Sequence, residues 1–433
     1  MKAFVLAIDG PAGAGKSTTA RGVAERLGLL HIDSGAMYRA IAWLALRQAV
    51  PLDDEESLVG LLSHTRFEPT TQGMLVNGER VEDAIRTAEA GEAASRVALH
   101  PLLRRRLVEL QRSFAREPGL VMEGRDIGTV VFPNAHLKIF ISAGAEARAE
   151  RRYQELRERG LSPDRGAIVE AIQERDRRDM ERQASPLVRA PDALVLDTTN
   201  LSPEEQVALA ARWAELARRG PGRMTPVYWF GKNFTRAFAR VFLNFHVEGL
   251  AGLPRRGPLI VACNHISFWD PPLVGATARR LMHFVAKAEL FENRLFGGLL
   301  RSYNAIPIHR GSQARAGLRG AEDVLGAGGA VLIFPEGTRN KSHTLLAPRA
   351  GVARLSAATR SPVLPACITG SNQIRRSMLR QVPIRITFGS PMMPPRSERL
   401  GREEARAYAS EVMEAIAALR ADQEKRYGSN RRG

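Results

Sequence analysis

Residues 10–17 read Gly10-Pro11-Ala12-Gly13-Ala14-Gly15-Lys16-Ser17, directly after the apolar run 4–8. Ala20, Val23, Ala24 and Leu27 follow at helical spacing. Strand, glycine loop and helix in that order form a phosphate cradle. Glycines let consecutive backbone N–H groups turn inward on anionic oxygens. The helix that follows adds its positive end. In such a loop Lys16 reaches a transferred phosphoryl group and Ser17 holds a divalent cation. On this reading the opening residues are expected to form a first buried strand rather than a cleaved leader. Alone, the loop means nucleotide binding and nothing finer.

Three further blocks narrow it. Asp33-Ser34-Gly35-Ala36-Met37-Tyr38-Arg39 and Glu123-Gly124-Arg125-Asp126-Ile127-Gly128-Thr129 each follow a short strand pattern. Glu174-Arg175-Asp176-Arg177-Arg178-Asp179-Met180-Glu181-Arg182 lies in a charged helical segment. Arginine recurs in all three, as neutralising two adjacent polyphosphates requires. Residues 60–110 read as an insertion, with a hairpin expected at Asn77-Gly78. The run Arg218-Arg219-Gly220-Pro221-Gly222-Arg223 breaks a helix and marks a linker.

Over residues 2–219 these blocks resemble cytidylate kinase of the bacterial type. The resemblance implies an α/β P-loop nucleoside monophosphate kinase fold over 1–220: a parallel sheet, a monophosphate-binding insert near 60–110 and a lid near 148–165. It implies ATP with Mg²⁺, and CMP or dCMP as acceptor. Gly10, Gly13, Gly15, Lys16, Ser17, Arg148 and Arg152 would hold ATP, with Arg151 near the lid, Ser17 on the metal and Lys16 catalytic. Ser34, Arg112 and Asp179 would contact cytosine and sugar. Tyr38, Arg39, Arg125, Asp126 and Arg175 would line the monophosphate site, and Arg182 the region between nucleotides. Position 123 is Glu where the pattern has Asp. Another pyrimidine monophosphate, UMP, is the alternative acceptor.

The rest of the chain carries different chemistry. The protein has 433 residues, with 63 Lys and Arg against 46 Asp and Glu, a net charge of +17. Residues 1–223 carry 32 of each sign, so the entire surplus sits in 224–433. A basic half attracts anionic lipid, an acidic carrier or nucleic acid. Cys263 and Cys367 lie in separate apolar runs without metal-type spacing, as buried thiols in a reducing cytosol would. No stretch reaches the length of a transmembrane helix.

Two blocks follow apolar strand patterns here: Asn264-His265-Ile266-Ser267-Phe268-Trp269-Asp270 and Phe334-Pro335-Glu336-Gly337-Thr338-Arg339. The five-residue spacing of His265 and Asp270 can aim the carboxylate at one imidazole nitrogen and leave the other as a base. No nucleophile is well placed: Cys263 completes an apolar strand. Direct attack by an acceptor hydroxyl is therefore expected. Arg339, and Arg310 after the run 306–308, offer forks for a phosphate. Phe230, Phe234, Phe238, Val241, Phe242 and Phe245 form an apolar stripe, with Lys232, Arg236 and Arg240 off it.

These blocks, with Asn304-Ala305-Ile306-Pro307-Ile308-His309-Arg310 and Ser361-Pro362-Val363-Leu364-Pro365, resemble the 1-acylglycerol-3-phosphate acyltransferase family over roughly 226–420. The resemblance implies a second α/β domain, 226–425, headed by an amphipathic helix. Its reaction would move an acyl group from acyl-CoA or acyl carrier protein to the sn-2 hydroxyl of lysophosphatidate. His265 would be the base and Asp270 its partner, with Arg310, Glu336, Gly337, Thr338 and Arg339 on the acceptor. A different lysophospholipid, or a basic membrane or nucleic-acid module without catalysis, are the alternatives, and nucleic acid is not expected. Two fused enzymes result, cytoplasmic and peripheral to the inner face of the cytoplasmic membrane, with the phenylalanine stripe at the lipid interface.

Overall fold

The computed structural model describes residues 3–70, 73–158, 160–181, 185–219, 224–308, 314–340 and 344–427. The chain forms two compact units, Met1–Ala214 and Glu215–Gly433, dividing inside a helix that ends at Arg219.

The first unit opens with β1 (Phe4–Asp9), α1 (Lys16–Leu27), β2 (Leu30–Asp33) and α2 (Ser34–Arg47). Every residue of β1 is buried, as a strand covered on both faces of a parallel sheet requires. Asp33 caps α2, its carboxylate accepting from Ala36 N–H. After α3 (Glu55–Ser63) comes an antiparallel sheet of β3 (Phe67–Thr70), β4 (Gly73–Val76) and β5 (Glu79–Arg80). Asn77 (φ 52°) and Gly78 (φ 81°) make the β4–β5 turn, both left-handed, which is why that pair stands there. Then follow α4 (Ala88–Val97), α5 (Pro101–Ser113), β6 (Gly119–Gly124), a π turn at Ile127–Val131 and β7 (Leu137–Ser142). The unit closes with α6 (Ala145–Glu158), α7 (Arg165–Glu181), β8 (Leu194–Asp197) and α8 (Pro203–Arg219). The main sheet runs β2-β6-β1-β7-β8, all parallel. With β1 central, the loops after β1 and β6 leave the same edge, where α/β sheets bind ligands.

The second unit contains α9 (Pro226–Phe242), β9 (Phe245–Glu248), β10 (Leu259–Cys263), α10 (Asp270–Thr277), β11 (His283–Lys287) and α11 (Arg294–Ser302). It continues with β12 (Ala305–Ile308), α12 (Ala314–Gly326), β13 (Ala330–Ile333), α13 (Gly351–Thr359) and β14 (Val363–Thr369). A short helix α14 (Ile374–Met378), β15 (Ile384–Phe388) and α15 (Arg402–Tyr427) complete it. The sheet order is β12-β11-β13-β10-β14-β15-β9, parallel except for β14 against β15. Central β10 pairs with β13 through Leu259↔Ala330 and with β14 through Cys263↔Ala366. The loops after all three strands therefore emerge side by side.

Helix α9 settles which face of the phenylalanine pattern packs. Thr225 caps it and Pro226 opens it. Its buried residues are Tyr228, Gly231 and Ala239, while Phe230 and Phe234 are 66% and 61% exposed. The face of Tyr228, Gly231 and Ala239 meets the domain, Phe238 is partly buried against it, and Phe230, Phe234 and Phe242 stay exposed. Phe245, grouped with the stripe by its spacing, instead begins β9. Gly231 lies so close to Tyr303 that a Cβ there would stand 1.8 Å from the phenolic oxygen. Gly231→Ala is expected to destabilise this unit by ~1–3 kcal/mol through overpacking, lowering its calorimetric midpoint by several degrees. An unchanged midpoint would mean that α9 is not seated on Tyr303.

Candidate active sites

In the first unit, Gly13 (φ 73°) and Gly15 (φ 92°) adopt left-handed backbone that turns the loop between β1 and α1. At Gly10 a Cβ would lie 2.1 Å from the Ile141 carbonyl oxygen, so no side chain fits. Lys16 Nζ donates to the Pro11 carbonyl at 2.7 Å, folded back over the loop. Burial, then the neighbouring Arg125 charge, pushes its pKa down to about 7. An arriving phosphate reverses that direction.

The Glu123 carboxylate, at the end of β6, accepts from Ser17 Oγ at 2.7 Å with one oxygen and faces His31 Nε2 at 2.9 Å with the other. Ser34 Oγ donates to the Glu123 carbonyl at 2.7 Å. Arg125 donates to Asp179 at 2.7 Å and to the Gly10 carbonyl at 3.1 Å. Arg39 donates to Asp33 at 2.7 Å. Burial, followed by the Arg125 charge, also lowers the pKa of Arg175, with Arg39 and Arg178 adding to it. Lys16, Arg39, Arg125 and Arg175 thus crowd one end of the sheet.

Other expected residues are committed elsewhere. Arg148 is buried; it binds both oxygens of Asp176 (2.9 and 2.5 Å) and the Ala12 carbonyl (3.2 Å), tying α6 and α7 to the phosphate loop. Arg152 pairs with Glu155 on the solvent side of α6 and does not join the loop, because its helix position faces outward. Its neighbour Arg151 turns inward to Thr198, whose hydroxyl donates to the Ala14 carbonyl at 2.8 Å. Arg112 donates to the carbonyls of Val130 and Val131 at 2.8 Å, bracing the π turn. Asp126 is buried against Arg104 at 2.5 Å, and Arg104 lies over the Tyr38 ring. Arg182 lies outside the described residues.

Sequence reasoning passed over His31, Arg104, Thr198 and Asp9. Asp9 ends β1 and accepts from Ile127 N–H (2.8 Å) and Gly128 N–H (2.7 Å). Burial raises its pKa to about 6. Its place at the end of an apolar run, before the glycine loop, was the available signal.

In the second unit, His265 Nδ1 lies 2.8 Å from Asp270 Oδ2. The same oxygen accepts from Ile266 N–H and Ser267 N–H, both at 2.7 Å, and Oδ1 accepts from Ser371 Oγ at 2.5 Å. Asp270 is fully buried, whereas the His265 side chain is 16% exposed. The imidazole stacks on Phe334, ring centroids 4.0 Å apart. Nδ1 is engaged, so Nε2 is the nitrogen free for a reacting group.

Glu336 is buried and its carboxylate is spent inside the protein. It accepts from His265 N–H (3.1 Å), Leu346 N–H (3.1 Å) and Asn340 Nδ2 (2.9 Å). In this geometry Glu336 ties the His265 loop to the loop after β13. Gly337 has φ 67°, and a Cβ there would meet the Arg349 side chain at 2.5 Å. Thr338 and Arg339 are exposed, the Arg339 guanidinium lying 3.4 Å above the Phe268 ring. Arg310 lies outside the described residues. Asn340 and Ser371 were missed, since only tertiary pairing brings them to the dyad, and Asn264, at the head of the block, was given no role of its own. Asn264 exchanges two hydrogen bonds with the Ile368 backbone (2.9 and 2.8 Å). Cys263 is buried in β10, and burial, then the Asp270 charge, raises its pKa well above the ordinary thiol range.

Comparison with known proteins accords with this division. The sequence model of the family described as Cytidylate kinase matches residues 6–215, and that of the family described as Acyltransferase matches 244–369. The cytidylate kinase of Geobacillus sp. (strain WCH70) is 50% identical over 206 residues, 47% of this chain and 92% of that protein. That of Pasteurella multocida is 47% identical, covering 49% of this chain and 95% of its own length. A solved structure of the 1-acyl-sn-glycerophosphate (LPA) acyltransferase from Thermotoga maritima matches at 27% identity, 49% of this chain and 82% of that one, with a TM-score of 0.35. Through its first unit the chain belongs to the cytidylate kinase family, and its second unit carries an acyltransferase-family domain.

Proposed function

We propose that the first unit transfers the terminal phosphoryl group of ATP to CMP or dCMP. The observation that carries this reading is the crowding of Lys16, Arg125 and Arg175 at the phosphate loop, where burial and then the Arg125 charge lower the pKa of both others and Asp179 offsets this only in part at Arg175. Phosphoryl transfer needs positioning and neutralisation more than covalent help. Ser17 and Glu123 present hard oxygen donors side by side, a set that fits Mg²⁺ shared with nucleotide phosphates. Among the described residues no group of three or more His, Cys, Asp or Glu forms a metal cage. Ser17 would hold the ion, with Glu123 holding the Ser17 hydroxyl, and the chemistry supplied by the ion when bound would be neutralisation of developing phosphate charge. The loop N–H groups bind phosphate, and Arg125, fixed by Asp179 and Gly10, orients the acceptor.

The second unit, in this proposal, esterifies the sn-2 hydroxyl of 1-acylglycerol-3-phosphate from acyl-CoA or acyl carrier protein, giving phosphatidate. The 2.8 Å contact of His265 Nδ1 with Asp270 carries it. His265 Nε2 takes the hydroxyl proton as the oxygen attacks the thioester carbonyl. The tetrahedral adduct then collapses, the C–S bond breaks, and the thiolate leaves and is protonated. Arg339 is exposed beside the loop and suits the acceptor phosphate.

Lipid access accords with α9. Phe230, Phe234, Phe238 and Phe242 form a staircase of ring contacts, and Phe238 stacks on Trp269 of the His265 loop at 6.4 Å. Leu295, Phe296 and Leu299 of α11 are also exposed. No helix among the described residues is long and apolar enough to cross a membrane. An interfacial position for α9, at the inner face of the cytoplasmic membrane, fits an exposed aromatic face beside a local basic surplus.

Three measurements test these readings. With ATP and each nucleoside monophosphate, purified protein is expected to turn over CMP and dCMP above UMP; UMP ranking first would reject the acceptor. His265→Ala should lower acyl transfer to lysophosphatidate by ~10²–10⁴-fold, with the product identified by mass spectrometry and CMP phosphorylation intact. Unchanged transfer would remove His265 as base. Iodoacetamide at pH 8 should leave Cys263 and Cys367 unlabelled in the folded protein, since burial holds both thiols protonated, Cys367 up to about 12. Labelling of Cys263 with loss of acyl transfer would restore a covalent acyl-enzyme.

A further inference from the structure

Three residues beyond the buried Ser371–Asp270 hydrogen bond, the chain rises into α14 and then a turn to Arg380. Arg375, Arg376, Met378, Leu379 and Arg380 of this knuckle are all exposed, Met378 by 46% and Leu379 by 69%. Large apolar side chains at a loop tip are costly in water unless something covers them. Here Met378 and Leu379 are flanked by Arg375 and Arg376 on one side and Arg380 on the other. The hydrogen bonds of Arg376 run to Gln373 and Gln381, and that of Arg380 to the Val241 carbonyl. Among the described residues no carboxylate pairs with any of the three arginines.

The knuckle is joined to the end of α9. Besides the Arg380 bond to Val241, Asn244 N–H donates to Ser377. Val241 and Phe242, 61% and 53% exposed, and the exposed Arg240 belong to the same junction. Apolar tips ringed by unpaired arginines match a bilayer surface: acyl chains take the tips and anionic headgroups the guanidinium groups. An acidic protein partner would match the arginines but leave Met378 and Leu379 without a reason.

We propose that the α14 knuckle is a second contact with an anionic lipid surface, placed at the C-terminal end of α9. The inference rests on the interfacial position proposed for α9 and adds a separate foot to it. Because Ser371 anchors the start of this segment to Asp270, lipid contact at the knuckle sits a few residues from the catalytic dyad. An acceptor held in the leaflet is then presented to His265 without leaving the surface.

The test uses the full chain and vesicles of phosphatidylcholine with or without phosphatidylglycerol. An environment-sensitive fluorophore is attached to Leu379→Cys, and for comparison to Ser397→Cys, another exposed site. The label at 379 should shift to the blue on phosphatidylglycerol vesicles, and the label at 397 should not. In the unlabelled protein, Arg375→Ala with Arg376→Ala should weaken vesicle binding about tenfold or more, with CMP phosphorylation unchanged. If the parent protein binds vesicles but label and variant are indifferent, the knuckle is not a lipid contact, and α9 alone holds the surface. If the parent protein does not bind vesicles, the interfacial reading of α9 fails and this inference with it. Loss of acyl carrier protein binding in the arginine variant, with vesicle binding kept, would reassign the knuckle to that carrier and overturn the proposal.

Discussion

Parallel strand pairing is the constraint on which both sites depend. Neighbouring parallel strands finish at the same edge, so residues far apart in sequence meet there without a dedicated scaffold. In the first unit, β1 beside β6 brings Ser17 to Glu123 across 106 residues. In the second, β10 between β13 and β14 brings His265, Glu336 and Ser371 together. These strands are buried on both faces, so a one-residue slip would remake the packing on both sides of the sheet. Packing of the apolar strands thereby enforces the alignment that the chemistry needs.

Carboxylates placed at those strand ends do much of the subsequent ordering. An uncompensated buried charge is expensive. Asp270 has two backbone N–H groups, Ser371 and His265 around it, and Glu336 has two backbone N–H groups and Asn340. Removing one donor from such a group costs ~1–3 kcal/mol. The consequence is orientation as much as stability: a carboxylate fixed by its backbone contacts holds the imidazole in a single pose before any substrate binds. Asp9 plays the corresponding part in the first unit by tying the π turn to the end of β1.

The phosphate loop, the His265 block and the element boundaries around them were legible because local rules specify them. Residues 16–27 carried helical periodicity and form α1, and Asn77-Gly78 carried a turn requirement and forms one. What escaped was tertiary in origin. Arg151 and Arg152 are adjacent and chemically identical, and only the packing of α6 decides that the first turns in to Thr198 and the second out to Glu155. Glu336 lies inside a recognisable block, but its burial and its three internal hydrogen bonds follow from tertiary packing that the block alone does not reveal. His31 and Ser371 carry no local pattern at all; strand pairing alone gives them partners.

The choice of face on α9 follows from sterics and underlies its proposed interfacial role. Close approach to Tyr303 leaves no room for a side chain at 231, so the face holding Gly231 and Ala239 is the one that seats against the domain. The helical repeat then throws Phe230, Phe234 and Phe242 outward. Burying a phenylalanine side chain yields ~1.5–3 kcal/mol, and here that gain is forgone at three positions. These exposed rings lie on the same half of the chain that holds its whole excess of positive charge, the combination on which the proposed interfacial position of α9 rests. Phe238, turned partly inward, links that helix to Trp269 and through it to the loop of His265. The apolar face thus ends at the rim of the dyad, so a continuous run of rings leads from the proposed lipid contact to Trp269 in the loop of the proposed base.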